Sequence, residues 1–506
     1  MRAEPSPARS LDLSRESPVD ACVSSARVRY GLALMSTDSP LLSKRWPWLT
    51  AAAVVLLVYL ATLVEVGRLD PDDRPVGTSE DIAALRERDD LNVLFIVIDT
   101  LRAERLGAWG YERDTSPLLD RLASQGIRFD RHLSQSSWTK CSMASLWTGL
   151  YPARTGVTRF EQVLSPEAKL PAEILSEAGF RTAGLFRNGW VEGYFGFDQG
   201  FDVYTRPVGR PAAPNVRRQN PTIKEVGTDI DAVRASEEFL RIYGHERWFL
   251  YLHLMDVHEY LYDEDSARFG TNFSDIYDNA ILHTNFILDQ LYDHLGREGY
   301  LDHTLIVIAS DHGEAFGERG IEGHARFVYR ETTEVPLILS LPFKLEPGVV
   351  VDQRTANVDI WPTILDLLGL PAMQGVDGHS QRPSILAAAR GEDPPVRDGP
   401  AYAHLDQNWG KRGSIEAPTV AVSDGDYRFV LTQEGGRGWR QELFDRRHGA
   451  AESDNLAEIE SEIAARMRAV AEGYLESEPP WQGRVQDLEI DEIKLNQLRA
   501  LGYQIP

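Results

Sequence analysis

Asn92-Val93-Leu94-Phe95-Ile96-Val97-Ile98-Asp99-Thr100 and Leu305-Ile306-Val307-Ile308-Ala309-Ser310-Asp311-His312-Gly313-Glu314 are apolar runs of strand length, and each ends in metal-binding residue types. A run that is apolar at every position, without alternation, fits a strand buried on both faces. Comparable runs lie at 182–186, 249–254 and 337–341. Helical patterns at 116–125, 171–178, 229–243, 277–296 and 360–368 separate them. The alternation predicts a doubly wound α/β/α sandwich around a mostly parallel sheet. Ligands in such sheets sit at the carboxyl ends of strands, where Asp99 and Asp311 fall.

Further along, 371–400 is turn-rich. Short strand patterns at 401–404, 419–422, 427–432 and 442–444, with a helical pattern at 459–475, predict a small C-terminal α+β subdomain with an antiparallel sheet. The organisation reads as a disordered tail (1–43), an apolar span (46–64), a polar linker (65–90), the α/β domain (91–385), the subdomain (400–480) and a tail with a short helix (481–506). The Arg-, Pro- and Asn-rich stretch 206–224 reads as a surface loop in which Arg210, Arg217 and Arg218 could meet an anion.

The formal charge of −24 argues against nucleic acid as a partner. Cys22 and Cys141 are the only cysteines and flank the apolar segment, so they make no disulfide framework. Segment 46–64 (WPWLTAAAVVLLVYLATLV) has the length of a bilayer span. Lys44 and Arg45 precede it, and Glu65 and Asp70 follow. That asymmetry predicts one transmembrane helix, a cytoplasmic N-terminus and a periplasmic or extracellular catalytic domain. The absence of an A-x-A site after the run favours an uncleaved anchor over a signal peptide.

Asp99, at the end of a buried strand, is either a metal ligand or a helix N-cap. Asp311-His312 offers a hard oxygen beside an imidazole, a pair suited to Mn²⁺ or Zn²⁺. Thr139, in Ser136-Ser137-Trp138-Thr139-Lys140-Cys141-Ser142-Met143-Ala144-Ser145-Leu146-Trp147-Thr148-Gly149, starts a short helical run. It can serve as an N-cap, or as a nucleophile activated by a metal at a helix N-terminus. His258 and His324 could ligate a second metal or bond substrate and leaving group. His253 lies within a strand pattern and reads as structural, as do His283 and His294.

The segments "IVIDTLRAERLGAWGYERDTSPLLDRLASQGIRFDR" from Ile96, "SSWTKCSMASLWTGLYPARTGV" from Ser136, "VIASDHGEAFGERG" from Val307 and "DIWPTILDLLGLP" from Asp359 resemble, in order, the sulfatase family of the alkaline phosphatase superfamily. The resemblance covers about 90–505. It implies the fold above and sulfate or phosphate esters as substrates. In that family a cysteine or serine, followed by Pro or Ala two positions on and Arg four on, is oxidised to formylglycine. Counting back nine positions from Thr148, as in that motif, lands on Thr139, and Cys141 has Met143 and Ser145 at the offsets that need Pro or Ala and Arg. No formylglycine is therefore expected.

Asp99-Thr100 replaces the family's paired aspartates, and Asp311-His312 replaces Asp-Asn. This set is similar to the threonine-nucleophile branch containing lipoteichoic acid synthases, and its metal pair to that of phosphonate monoester hydrolases. The resemblance implies that Asp99, Thr139, Asp311 and His312 bind one divalent metal. Mn²⁺ is the expectation, with Ca²⁺, Mg²⁺ and Zn²⁺ compatible. It also implies that His258 and His324 face the transferred group. Asn188, after a strand, could add an amide donor to a substrate oxygen; Lys140 could do the same, though an exposed lysine is the simpler reading. The expected activity is a hydrolase or transferase acting through Thr139 on an anionic ester, such as a phospholipid headgroup or envelope glycan, with phosphoesters favoured. The alternatives are sulfate-ester hydrolysis without formylglycine, a two-metal phosphatase using Asp256, His258 and His324, and a catalytically silent binding protein of the same fold.

Overall fold

The computed structural model describes residues 48–55, 72–207, 227–395, 399–448 and 452–481. The chain divides into two units, 1–69 and 70–506. Of the first, only 48–55 is described, as an exposed helical stretch. The rest of the expected span, the N-terminal tail, 208–224 with its three arginines and the C-terminal tail beyond 481 lie outside the described residues. Among the described residues no helix is long and apolar enough to cross a membrane.

The second unit is built on a mixed eight-stranded sheet. Its strands are β1 (Asn92–Ile98), β2 (Ile127–Leu133), β3 (Arg181–Phe186), β4 (Val203–Thr205), β5 (Trp248–Leu254), β6 (Thr304–Ala309), β9 (Leu337–Ser340) and β10 (Val349–Ala356), with β7 (Ala315–Phe316) and β8 (Glu322–Gly323) forming a separate small ribbon. The strand order is β10-β2-β9-β6-β1-β5-β3-β4. Only β9 runs antiparallel to its neighbours β6 and β2.

Alternation along β1 shows why both faces must be covered. Val93, Phe95 and Val97 enter one apolar core with the helices Thr139–Thr148, Pro171–Glu177 and Ile360–Leu367. Leu94, Ile96 and Ile98 enter another with Pro117–Ser124, Asp229–Tyr243 and Phe273–Arg297. Successive side chains of a strand point to opposite faces, so a run apolar at every position needs a layer of helices on each side. That is the expected α/β/α arrangement.

The second sheet is an antiparallel meander of β11 (Ala401–Asp406), β12 (Pro418–Asp424), β13 (Tyr427–Gln433) and β14 (Trp439–Asp445). The helix Ser461–Leu475 covers it, with Ala464, Met467 and Ala471 against Val420, Phe429 and Leu443.

Residues 72–90, the described part of the expected linker, are packed into the domain. Asp72 and Arg74 are buried and paired at 2.7 Å, and Tyr292 donates to Asp72 at 2.8 Å. The polar composition reads as a linker because most of its charges are exposed, while Ile82 and Leu85 reach the core and the Asp72–Arg74 pair is neutralised inside the fold. The sequence patterns also miss β2 and β10, whose exposed and buried positions intermingle along the strand.

Candidate active site at the strand ends

The carboxyl ends of β3, β1, β5 and β6 deliver Asn188, Asp99, His253 and Asp311-His312 to one place, and the helix Thr139–Thr148 starts beside them. Two bonds hold that helix to the β6 end: the Ser142 hydroxyl donates to the Asp311 carbonyl at 2.5 Å, and the Thr139 hydroxyl lies 3.2 Å from His312 Nε2. Trp138, not Thr139, is the N-cap residue, and it makes no side-chain cap. The helix thus leaves the Thr139 hydroxyl to the site.

Thr100 closes the turn after Asp99 with φ of 62°, a strained value for a β-branched residue. Its hydroxyl donates to the Asp99 carbonyl at 2.6 Å, and its N–H reaches Asp311 Oδ1 at 3.3 Å. The turn thus ties the backbone after Asp99 to the Asp311 carboxylate.

Asp99 and Asp311 are both fully buried. Asp99 Oδ2 accepts from Asn188 Nδ2 at 2.6 Å and from His253 Nε2 at 3.1 Å. Asp311 Oδ1 accepts the backbone N–H of His312 at 3.0 Å. The other oxygens, Asp99 Oδ1 and Asp311 Oδ2, have no hydrogen-bond donor. They stand 3.8 and 3.3 Å from His312 Nε2. His312 Nδ1 lies 3.0 Å from the Gly313 carbonyl, which can only accept, so Nδ1 carries the proton and Nε2 presents a lone pair. Burial, reinforced by His324, holds the His312 pKa down to about 3. Burial, then the Asp99 carboxylate, pushes Asp311 well up. Two orphaned carboxylate oxygens, an imidazole lone pair and a hydroxyl converge, with no lysine or arginine of the described residues among them. A divalent metal fits that donor set.

Asp99, His253 and Asp311 also offer ligand atoms within 4.8 Å of one another. The hydrogen bonds decide against His253 as a ligand. Its Nε2 faces a carboxylate oxygen and must donate, while Nδ1 takes the Tyr251 hydroxyl at 2.7 Å. His253 therefore orients Asp99 and leaves Oδ1 without a donor, the arrangement by which outer hydrogen bonds fix a metal ligand. The sequence reading as merely structural misses this role. A histidine inside a wholly apolar buried strand needs a polar partner, and the neighbouring strand ends in Asp99. His253→Ala should weaken metal binding by about 10–100-fold in a metal titration, with excess metal restoring turnover. His312→Ala should not be rescued by excess metal, and equal behaviour of the two variants would refute the distinction.

Asn188 lies in the site, but its amide is turned inward. Its amide nitrogen donates inward to Asp99 and, at 3.3 Å, to Thr139 Oγ1, and its Oδ1 accepts from Trp190 N. Both amide hydrogens are committed, so Asn188 positions the carboxylate and the hydroxyl instead of holding substrate. Lys140 is also redirected. Its ammonium is buried, donates to the Phe160 carbonyl at 2.7 Å and lies 3.5 Å from the centre of the Phe195 ring. Adjacent helix positions point about 100° apart, so a lysine next to Thr139 is turned away from it. Cys141 is buried beside the His404 carbonyl, and burial raises its thiol to about 12.

His258 and His324 do join the site. Their ring centres are 5.0 Å apart, and His324 is 4.7 Å from His312. Glu314 accepts from His324 Nδ1 at 3.2 Å and from the Tyr260 hydroxyl at 3.0 Å. Burial opposes charge on His324, but Glu314 overrides it and the pKa is raised. Asp256 is not part of this group. It is bound by Arg187 at 2.5 Å and by the Asp229 backbone, which removes it from the two-metal alternative. Glu314, by contrast, gives no separate signal in the sequence, where it only closes the Asp311 segment.

The sulfatase family pattern matches residues 91–370. The chain belongs to the sulfatase family. The pattern described as the C-terminal part of N-sulphoglucosamine sulphohydrolase matches residues 317–472. The chain is similar to arylsulfatase K of Bos taurus, 21% identical over 75% of this chain and 81% of that protein. An extracellular sulfatase SULF-1 homolog of Drosophila melanogaster is 33% identical, over 26% of this chain and only 11% of its own length. Among solved structures, a phosphonate monoester hydrolase of Agrobacterium radiobacter matches with a TM-score of 0.59 and 19% identity, over 76% of this chain and 94% of that one. A protein solved with D-glucosamine-2-N,6-O-disulfate matches with a TM-score of 0.60 and 16% identity, over 76% and 98%. The sulfatase-family protein is an ester hydrolase, acting on sulfate or phosphate esters.

Proposed function

We propose that this sulfatase-family chain hydrolyses anionic esters, phosphoesters before sulfate esters, through Thr139 as nucleophile, in the manner of the threonine branch that includes lipoteichoic acid synthases. The observation that carries the reading is the Thr139 hydroxyl 3.2 Å from the His312 Nε2 lone pair, beside two carboxylate oxygens that lack donors. Asp99 Oδ1, Asp311 Oδ2, His312 Nε2 and Thr139 Oγ1 would hold one divalent metal, Mn²⁺ by preference. When bound, the ion supplies the positive charge that lowers the hydroxyl's pKa and neutralises the carboxylates.

The Thr139 hydroxyl gives its proton to solvent, and its oxygen, oriented by Asn188 Nδ2 and the start of the helix, attacks phosphorus. The bond from phosphorus to the leaving oxygen breaks, and His324, kept protonated by Glu314, gives that oxygen its proton. His258 faces the same space. In the second step His324 takes a proton from water, water attacks the phospho-threonine, and phosphate departs with Thr139 restored. A threonine ester lacks the hemiacetal collapse open to formylglycine, so the second attack must occur at the central atom. Phosphorus tolerates it better than sulfur.

The substrate class extends to multiply charged lipid headgroups or envelope glycans, since a structural neighbour was solved with a disulfated sugar. The apolar segment 46–64 would hold the domain at the outer face of a membrane. The test is a panel of nitrophenyl phosphate, phosphodiester, phosphonate and sulfate esters with Mn²⁺, followed by mass spectrometry of acid-quenched protein. The expected result is a phosphoryl adduct on Thr139 and turnover of phosphoesters above sulfates. Turnover of sulfate alone reverses the order of substrates, and an adduct elsewhere refutes the nucleophile.

A further inference from the structure

Across the sheet from the candidate site lies an open cleft in which five arginines face three acids, in a chain whose formal charge is −24. Arg131 on β2 and Arg354 on β10 are paired residues of parallel neighbouring strands. Like charges set directly across from each other are destabilising. Arg428, from the C-terminal sheet, and Arg330 and Arg446 complete the set.

The acids pair with part of it. Glu334 takes Arg446 at 2.7 Å and also Arg330, and Glu452 takes Arg428 at 3.1 Å. Arg131 makes no ion pair among the described residues; Asp426, Asp352 and Asp130 favour its charge only from a distance, and its guanidinium donates to the Gly425 carbonyl at 3.3 Å. Burial first, and Arg446 second, draw the Arg131 and Arg330 guanidinium pKa values down. Positive charge is thus concentrated against its own repulsion, a cost that a bound oxyanion would offset.

The position ties the cleft to the chemistry. Strand β2 runs parallel to β6 with β9 between them, so Arg131 and Asp311 stand toward the same end of the sheet, about two strand spacings (roughly 10 Å) apart across it. The helix Arg330–Thr333 links them: Arg330 lines the cleft, and the Thr332 carbonyl accepts the N–H of Gly313, next to His312, at 2.9 Å.

We propose that this cleft is an oxyanion subsite that receives a second sulfate or phosphate group of a multiply anionic substrate while the ester to be cleaved lies at Thr139. The inference rests on the function proposed above for its substrate class, but its binding arm reads independently of turnover. The guanidinium forks supply paired donors to such a group, and the hairpin between β12 and β13 forms one wall.

The experiment compares the full-length chain with Arg131→Gln/Arg354→Gln and Arg131→Lys/Arg354→Lys. Calorimetry measures binding of a sulfated heparin hexasaccharide and of inorganic sulfate, and nitrophenyl phosphate turnover checks the catalytic centre. The glutamine pair should bind the hexasaccharide about tenfold more weakly or worse, with a shallower salt dependence and unchanged nitrophenyl turnover. The lysine pair should recover most of the affinity, which distinguishes lost charge from lost folding. Unchanged hexasaccharide affinity in the glutamine pair would overturn the subsite. So would loss of inorganic sulfate alone, which would make it a free-anion site, or a fall in nitrophenyl turnover parallel to the fall in affinity. If the wild type cleaves no ester yet the glutamine pair loses the hexasaccharide, the reading of Thr139 fails and the subsite stands.

Discussion

Thr139→Ala should lower turnover of every ester substrate by at least about a thousandfold, with no adduct on the protein after quenching. The side chain is 1% exposed, and its hydroxyl is held by His312 and Asn188 at 3.2 and 3.3 Å, so the variant deletes one oxygen from a pre-formed site. Two carboxylates and an imidazole remain, and metal titration should still show binding. Thr139→Ser keeps the oxygen but loses the γ-methyl that fixes its rotamer. It should retain a measurable fraction of wild-type turnover and form the same adduct on serine. Undiminished turnover in the alanine variant would transfer the nucleophile's role to a water and make Thr139 a positioning hydroxyl.

The parts of this molecule that are legible in its sequence are those whose chemistry is local to a strand or a motif. Strands β1 and β6 announce themselves because they are buried on both faces, and their terminal Asp99 and Asp311 follow from where such strands end. Thr139 follows from counting back along a motif. Strand β2, with Arg128, Asp130 and Arg131 between Ile127 and Leu133, carries charge on partly exposed positions and gives no such signal. Direction is the other thing a sequence hides. Lys140 and Asn188 are next to or near the right elements, yet one points into a nest of aromatic rings and the other spends its donors on Asp99 and Thr139. The Asp256 reading fails for a related reason: Arg187, distant in sequence, reaches it first. His253 is the converse. It lies in a strand that looks purely structural, and only its register beside β1 brings it to Asp99.

Asp311→Asn should raise the melting temperature of the metal-free protein and abolish the further rise that metal gives the wild type. Without an ion, the fold holds two fully buried carboxylates whose free oxygens face the same imidazole lone pair. Burial and the Asp99 charge penalise ionisation of Asp311. An asparagine of the same shape removes one carboxylate and can turn its amide N–H toward His312 Nε2, replacing a repulsive contact with a hydrogen bond. In the wild type the ion offsets that repulsion, and at a hundredfold excess over its Kd it should add about 2.7 kcal/mol. The variant trades this linkage for stability that no longer depends on metal, and with it loses the charge that, on the proposed mechanism, would activate Thr139. Calorimetric scans of chelator-treated and Mn²⁺-loaded protein separate the two effects. A metal-dependent rise that persists in Asp311→Asn would mean that the ion binds elsewhere, and a fall in the metal-free melting temperature would mean that Asp311 is a structural hydrogen-bond acceptor before it is a ligand.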